Sequence, residues 1–186
     1  MNALYLVAIG SVTEGALEWI ENAAAEWFPL PLQRLPPLSI PEAAYDRKRG
    51  QYQSVEIMKM LAQYAPSNSS RDSRVLGLTD VDLAIPMLSF LFGQAQLDGP
   101  VAVVSLCRLH QEFYGLPADE SLLRQRTVKE ALHELGHTFG LAHCSDPRCA
   151  MSLATHIELV DAKEEQYCER CGVRLVRRFA QPGGKV

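Results

Sequence analysis

No stretch of this chain is apolar for long enough to span a bilayer as a helix, which excludes an integral helical membrane protein. Nor is there a block of like charge. The net charge of −4 is spread along the chain, so a nucleic-acid arm and a basic membrane patch are both excluded as expectations. The N-terminus lacks the basic flank of a secretory signal, its first Lys or Arg being Arg34. The short apolar run Leu4 to Ile9 leads straight into Glu14 and Glu18, which reads as an opening strand. No internal repeat is present. The expected compartment is therefore the cytosol, where cysteines are thiols or metal ligands before they are disulfides, and an odd number of them agrees. Histidine and cysteine are scarce, with five of each in 186 residues. A length of 186 residues that are 47% hydrophobic suits one compact domain, residues 1–186, with a sizeable core.

The scarce residues are concentrated. His133, His137 and His143 fall in the stretch Thr127 to Cys144, which reads HExxHxxGxxH from His133. Val128, Leu132, Leu135 and Phe139 recur there at helical spacing, and Thr127 with Glu130 has the form of a capping box, so an amphipathic helix is expected to start at Thr127. One helical turn, about 6 Å along the axis, separates His133 from His137, so both imidazoles can face one metal ion. Glu134 lies beside them, where a carboxylate can reach a metal-bound water without being a ligand, the position of a general base. Gly140 can end the helix in the left-handed conformation and swing His143 back as third ligand, leaving the fourth position open. The rival reading is a pair of surface histidines on an amphipathic helix. HExxH alone is weak, but each further fixed residue cuts coincidence roughly tenfold or more.

Four of the cysteines make two short-spaced pairs, Cys144 with Cys149 and Cys168 with Cys171, the second a CxxC followed by Gly172. That spacing fits a structural zinc held by four thiolates, with the CxxC in a tight turn relaxed by Gly172. Thr155 to Tyr167 is expected to be the connecting helix, opened by a second capping box of Thr155 and Glu158. Two disulfides, a redox CxxC, or Cys144 as a fourth ligand closing the histidine site are the alternatives. Cys107, within an apolar strand, reads as a small buried hydrophobe, and His110 and His156 as surface or packing residues.

Ahead of the metal helix the pattern predicts strands at Leu4 to Ile9, near Leu32 to Leu35, at Val75 to Leu83, Ser89 to Leu97 and Val101 to Leu106. Helices are expected over Glu14 to Phe28 and Gln53 to Tyr64, and a loop over Pro66 to Asp72. The result is an α/β fold with a mixed, mostly parallel five-stranded twisted sheet, an antiparallel edge strand and helices packed on it. Phe92, Gly93, Gln94, Ala95 and Gln96 have the profile of that edge strand, with Gly93 marking a place where another backbone can come close. Asp80 and Asp82 read as polar residues at a strand end rather than a carboxylate site.

HExxHxxGxxH followed by Cys144, Cys149, Met151 and the Cys168/Cys171 pair resembles the archaemetzincin family of the metzincin metalloproteases. The motif resemblance covers about residues 127 to 172. It implies a compact zincin-like domain, residues 1–126 forming the sheet-and-helix part and residues 127–186 the active-site helix, Met-turn and four-cysteine region. It also implies two zinc ions, one catalytic and one structural, with Met151 as the hydrophobic floor beneath the three histidines. Read without it, Met151 is an ordinary core methionine.

The expected function is that of a cytoplasmic zinc metallopeptidase hydrolysing peptide or protein substrates through a zinc-bound water activated by Glu134, the substrate adding to the edge strand. Nucleic acid and membrane are not expected partners. The second expectation is a catalytically silent, zinc-stabilised peptide-binding or adaptor protein. It draws on the lack of a long segment before the first strand to serve as a propeptide, which leaves an active peptidase needing another brake.

Overall fold

A computed structural model describes residues 2–64 and 73–180. The loop expected over Pro66 to Asp72 lies outside the described residues. The elements run β1 (Leu4–Ile9), α1 (Glu14–Trp27), β2 (Leu32–Arg34), β3 (Tyr45–Asp46), β4 (Gln51–Gln53), α2 (Ser54–Tyr64), β5 (Arg74–Thr79), β6 (Leu83–Ile85) and β7 (Leu88–Leu91). They continue with β8 (Gly93–Ala95), β9 (Val101–Ser105), α3 (Glu120–Thr138), α4 (Ile157–Ala162) and α5 (Glu169–Ala180).

The main sheet has five strands in the order β2-β1-β5-β9-β8, all parallel except β8, which pairs antiparallel with β9 at the edge. Its central strands are apolar on both faces because both faces are covered. Leu4, Leu6, Leu76, Leu78, Ala102 and Val104 point to the side of α1 and α3, and Tyr5, Val7, Val75, Val101 and Val103 to the side of α2. The period-two alternation thus splits one apolar run between two cores.

Two expected strands are shorter than the pattern suggested, and each breaks where the chain leaves for a second sheet, β3-β4-β6-β7. The strand expected to reach Leu83 ends at Thr79. Asp82 then turns its carboxylate to Arg108 Nε and Nη2 at 2.6 and 2.8 Å, and to Gln51 Nε2 at 2.8 Å, a use incompatible with an apolar ladder. The strand expected over Ser89 to Leu97 is divided at Phe92, which is buried in the main core, so that β7 joins the second sheet and β8 the first. Cys107 lies past the end of β9, half-buried, rather than within the strand.

Both capping boxes are also corrected. The metal-bearing helix starts at Glu120, capped by Asp119, whose Oδ1 accepts from Leu122 N at 2.9 Å. Thr127 is buried in mid-helix with no partner for its hydroxyl. Glu130, its supposed box partner, is taken instead by Lys163. The helix expected over Thr155 to Tyr167 is only Ile157–Ala162; its N-cap is His156, which gives no side-chain cap, and Lys163 turns extended. The CxxC is not in a relaxed turn: Cys171 and Gly172 lie within α5, with Cys168 just ahead of it. Helical spacing of three residues brings the two sulfurs to one side.

Candidate metal centre

His133 and His137 share one face of α3, and Gly140, at φ 87°, reverses the chain so that His143 returns to them. The ring centroids lie 4.6 Å apart for His133 and His137, 5.3 Å for His133 and His143, and 4.9 Å for His137 and His143. Each helical imidazole spends its Nδ1 on a backbone carbonyl, His133 on Ala150 O at 2.8 Å and His137 on Leu141 O at 2.7 Å. Carbonyls only accept, so the proton of each neutral ring sits on Nδ1 and Nε2 carries a lone pair. Those two Nε2 atoms face each other at 3.1 Å. Two lone pairs so placed repel unless a cation lies between them, and ligand bonds of about 2.0–2.1 Å at tetrahedral angles put nitrogens at about that separation. Burial lowers the proton affinity of all three imidazoles, and the charge of Lys163 acts in the same direction. The set is suited to a metal that takes neutral nitrogen.

Met151 is fully buried, and its sulfur packs against the site where Gly136 lacks a side chain, between the two helical histidines. The helix end is held as well. Asp98, in the turn between β8 and β9 with φ 51°, donates its N–H to His137 O at 2.9 Å, and Arg74 Nε donates to Thr138 O at 2.9 Å.

Glu134 is buried beside the histidines, and burial, with the charge of Glu130, raises its proton affinity well above that of an ordinary carboxylate, Lys163 acting against them. It lies directly under the edge strand: a Cβ on Gly93 would fall 2.6 Å from Glu134 Oε1 and 2.7 Å from its Cγ. Gly93 does mark a close approach, of a side chain rather than a backbone. A cleft of about 410 Å³ runs between strand and helix, lined by Phe92, Gly93, Gln94 and Ala95 on one wall and by Glu130, His133, Glu134, His137 and His143 on the other, with Leu153 to Thr155 beyond. Gln96 is outside this lining and extends the pairing with β9 through its N–H to Val101 O at 3.0 Å. Gln94 accepts from Ser54 Oγ at 2.5 Å, which ties the edge strand to α2.

Cys144, Cys149, Cys168 and Cys171 form the second group, and in each group the candidate ligand atoms all lie within 4.8 Å of one another. Cys144 Sγ and Cys168 Sγ are 3.7 Å apart, too far for a disulfide and close to the edge of a tetrahedron with metal–sulfur bonds of about 2.3 Å. N–H donors surround the sulfurs: Asp146 N on Cys144 at 3.5 Å, and Met151 N and Cys168 N on Cys149 at 3.4 and 3.3 Å. The guanidinium of Arg170 reaches Cys144 Sγ at 3.2 Å. Burial opposes ionisation of Cys144, but the Asp146 amide, Arg170 and the neighbouring thiols outweigh it and bring the thiol down to about 7. Burial pushes the Cys149 and Cys171 thiols up instead, so their ionisation calls for a cation among the four sulfurs.

Among the residues outside these groups, His110 is partly exposed near Asp80 and Glu112, and His156 is exposed at the start of α4. Sequence reading missed Glu130, Lys163 and Arg170. Glu130 was accessible to it, being four residues before Glu134 on the same helix face. Nothing in the local pattern points to Lys163, which is brought in by the fold.

Comparison with known proteins bears on this geometry. The family model for peptidase family M54 matches residues 19–177. The archaemetzincin of Methanocaldococcus jannaschii is 40% identical over 170 residues, 91% of this chain and 90% of that protein. The archaemetzincin of Pyrococcus abyssi is 35% identical over 186 residues, 97% of this chain and 98% of its own. Among solved structures, that of the archaemetzincin of Methanopyrus kandleri superposes with a TM-score of 0.83 at 34% identity, covering 97% of each chain. A zinc-dependent peptidase from Methanocorpusculum labreanum gives 0.82 at 31% identity, covering 93% of this chain and 100% of its own.

Proposed function

The chain belongs to peptidase family M54, and from that premise we propose that it is a zinc-dependent metallopeptidase of the metzincin type with Glu134 as its general base. The observation that carries the reading is the pair of Nε2 lone pairs of His133 and His137 facing each other at 3.1 Å beside a buried carboxylate. His133, His137 and His143 would hold the catalytic ion as neutral imidazoles, and Cys144, Cys149, Cys168 and Cys171 a second, structural one. When bound, zinc supplies the Lewis acidity that polarises a scissile carbonyl and acidifies water at neutral pH. Glu134 takes the proton of the attacking water and returns it to the leaving amine. The edge strand β8 receives the substrate as an added strand, backbone pairing fixing its direction across the cleft. Met151 and the carbonyls of Ala150 and Leu141 keep the imidazoles in place. The proposal covers residues 1–186 as one functional unit, working where thiols stay reduced.

The test is hydrolysis of a diverse peptide library by protein whose zinc has been counted. Cleavage that disappears in Glu134→Gln while the zinc stays supports the assignment. A fully loaded parent that cleaves nothing would favour a peptide-binding role without turnover.

A further inference from the structure

One charged pair at the cleft wall has no direct role in the chemistry just proposed, although both of its charges bear on the proton affinity of Glu134. Glu130 stands one helical turn before Glu134 on α3, is buried, and contributes to the cleft wall. Lys163, from the residue following α4, donates from Nζ to Glu130 Oε1 at 2.7 Å; its side chain is 0% exposed and forms no part of the cleft lining. The pair is therefore a dipole with its negative end at the cleft and its positive end behind. A carboxylate offers about four lone-pair sites, and the lysine contact uses one. Apart from the three histidines, the ionisable residues lining the cleft are Glu130 and Glu134, both carboxylates, and no described lining residue is Lys or Arg. Much of the rest is apolar, including Leu88, Leu91, Leu153 and Ala154. Methylene stems suit such walls, and a cationic head suits the carboxylate beyond them. A buried ion pair is weak evidence for stability, since two apolar side chains of similar volume would serve the fold as well, so its place on a cleft wall points to recognition.

The geometry points to Glu130 as a specificity-determining residue that receives a lysine or arginine side chain of the peptide substrate and rejects an acidic one. This rests on the reading of the cleft as a peptide site.

The test uses zinc-loaded protein and a series of short peptide hydroxamates, whose chelating group anchors them at the metal whether or not the protein turns over. They differ in one side chain, Lys, norleucine or Glu, placed on either side of the chelator, and binding is measured by calorimetry beside digestion of a peptide library. In one of the two placements the Lys compound binds roughly ten- to a hundredfold tighter than the norleucine one, the scale of a charge-assisted hydrogen bond, and the Glu compound is weakest. Glu130→Gln cancels the Lys advantage. Lys163→Met leaves the carboxylate uncompensated and widens it. The double variant Glu130→Met with Lys163→Met keeps the volume filled without charge and binds Lys and Glu compounds alike. Equal affinities for all three side chains in the parent, or a ranking unchanged in the double variant, would overturn the assignment. A ranking that holds in a protein cleaving no peptide would count against the peptidase reading alone, whereas cleavage indifferent to side-chain charge would count against Glu130 alone.

Discussion

Gly93 packs against Glu134 with no room for a side chain between them: a methyl group on the first would stand 2.6 Å from Oε1 of the second. The carboxylate can hold its place under the edge strand because residue 93 has no side chain. Gly93→Ala is expected to push Glu134 aside and lower turnover by about a hundredfold, the scale of displacing a catalytic group by about 1 Å. Zinc content, measured by elemental analysis, should be unchanged. Turnover close to that of the parent would mean that Glu134 has another productive position.

Glu134→Gln separates proton transfer from metal binding. Glutamine is nearly the same size and still forms hydrogen bonds, but it cannot accept a proton at neutral pH. Loss of roughly two to four orders of magnitude in kcat with zinc retained is expected, the usual contribution of a general base. His137→Ala should lose the catalytic ion itself, seen as a lower zinc count.

Two zinc ions per chain are expected, with different lability. Mild chelation should remove the ion at the histidines, whose site keeps an open position, and leave the one at the cysteines, whose binding is coupled to folding. Cys168→Ala should lose the resistant ion and melt at lower temperature. Cys149→Ala should do the same and also slow peptide hydrolysis, because Cys149 Sγ accepts from Met151 N at 3.4 Å, below the histidines. Unaltered melting and metal content in both variants would mean free thiols.

The position of the helix start is testable by stability alone. Asp119→Ala removes the observed cap and should cost about 0.5–2 kcal/mol. Thr127→Val fills the same volume and removes a buried hydroxyl that has no partner, so it should be neutral or stabilising. The opposite order in urea unfolding would restore Thr127 as the cap.

What the sequence made legible follows the range of the forces involved. β1 and β9 could be read from local apolar runs, and the histidine and cysteine groups from spacing, because a helical turn or a left-handed glycine acts over a few residues. The capping box at Thr127 failed for a different reason. The Thr-x-x-Glu pattern is local, but Glu130 is engaged by Lys163 from another part of the chain, and Asp119 offered a competing cap further upstream. The second sheet was missed because Asp82 and Phe92 look like ordinary members of strands until Arg108 and the main core claim them.

The bond from Asp98 N to His137 O has a consequence for the kind of chain this protein can admit. Past one end of β8 the hairpin turn is fastened to the last turn of α3, while toward the other Gly93 rests on Glu134. The opening between strand and helix is thus gauged at two points, like a slot cut to one thickness. Strand addition at β8, as proposed, calls for a single extended backbone in such a slot rather than a folded hairpin or helix. If the substrate lies there as proposed, tails, loops and already unfolded segments are the material this aperture would sort for.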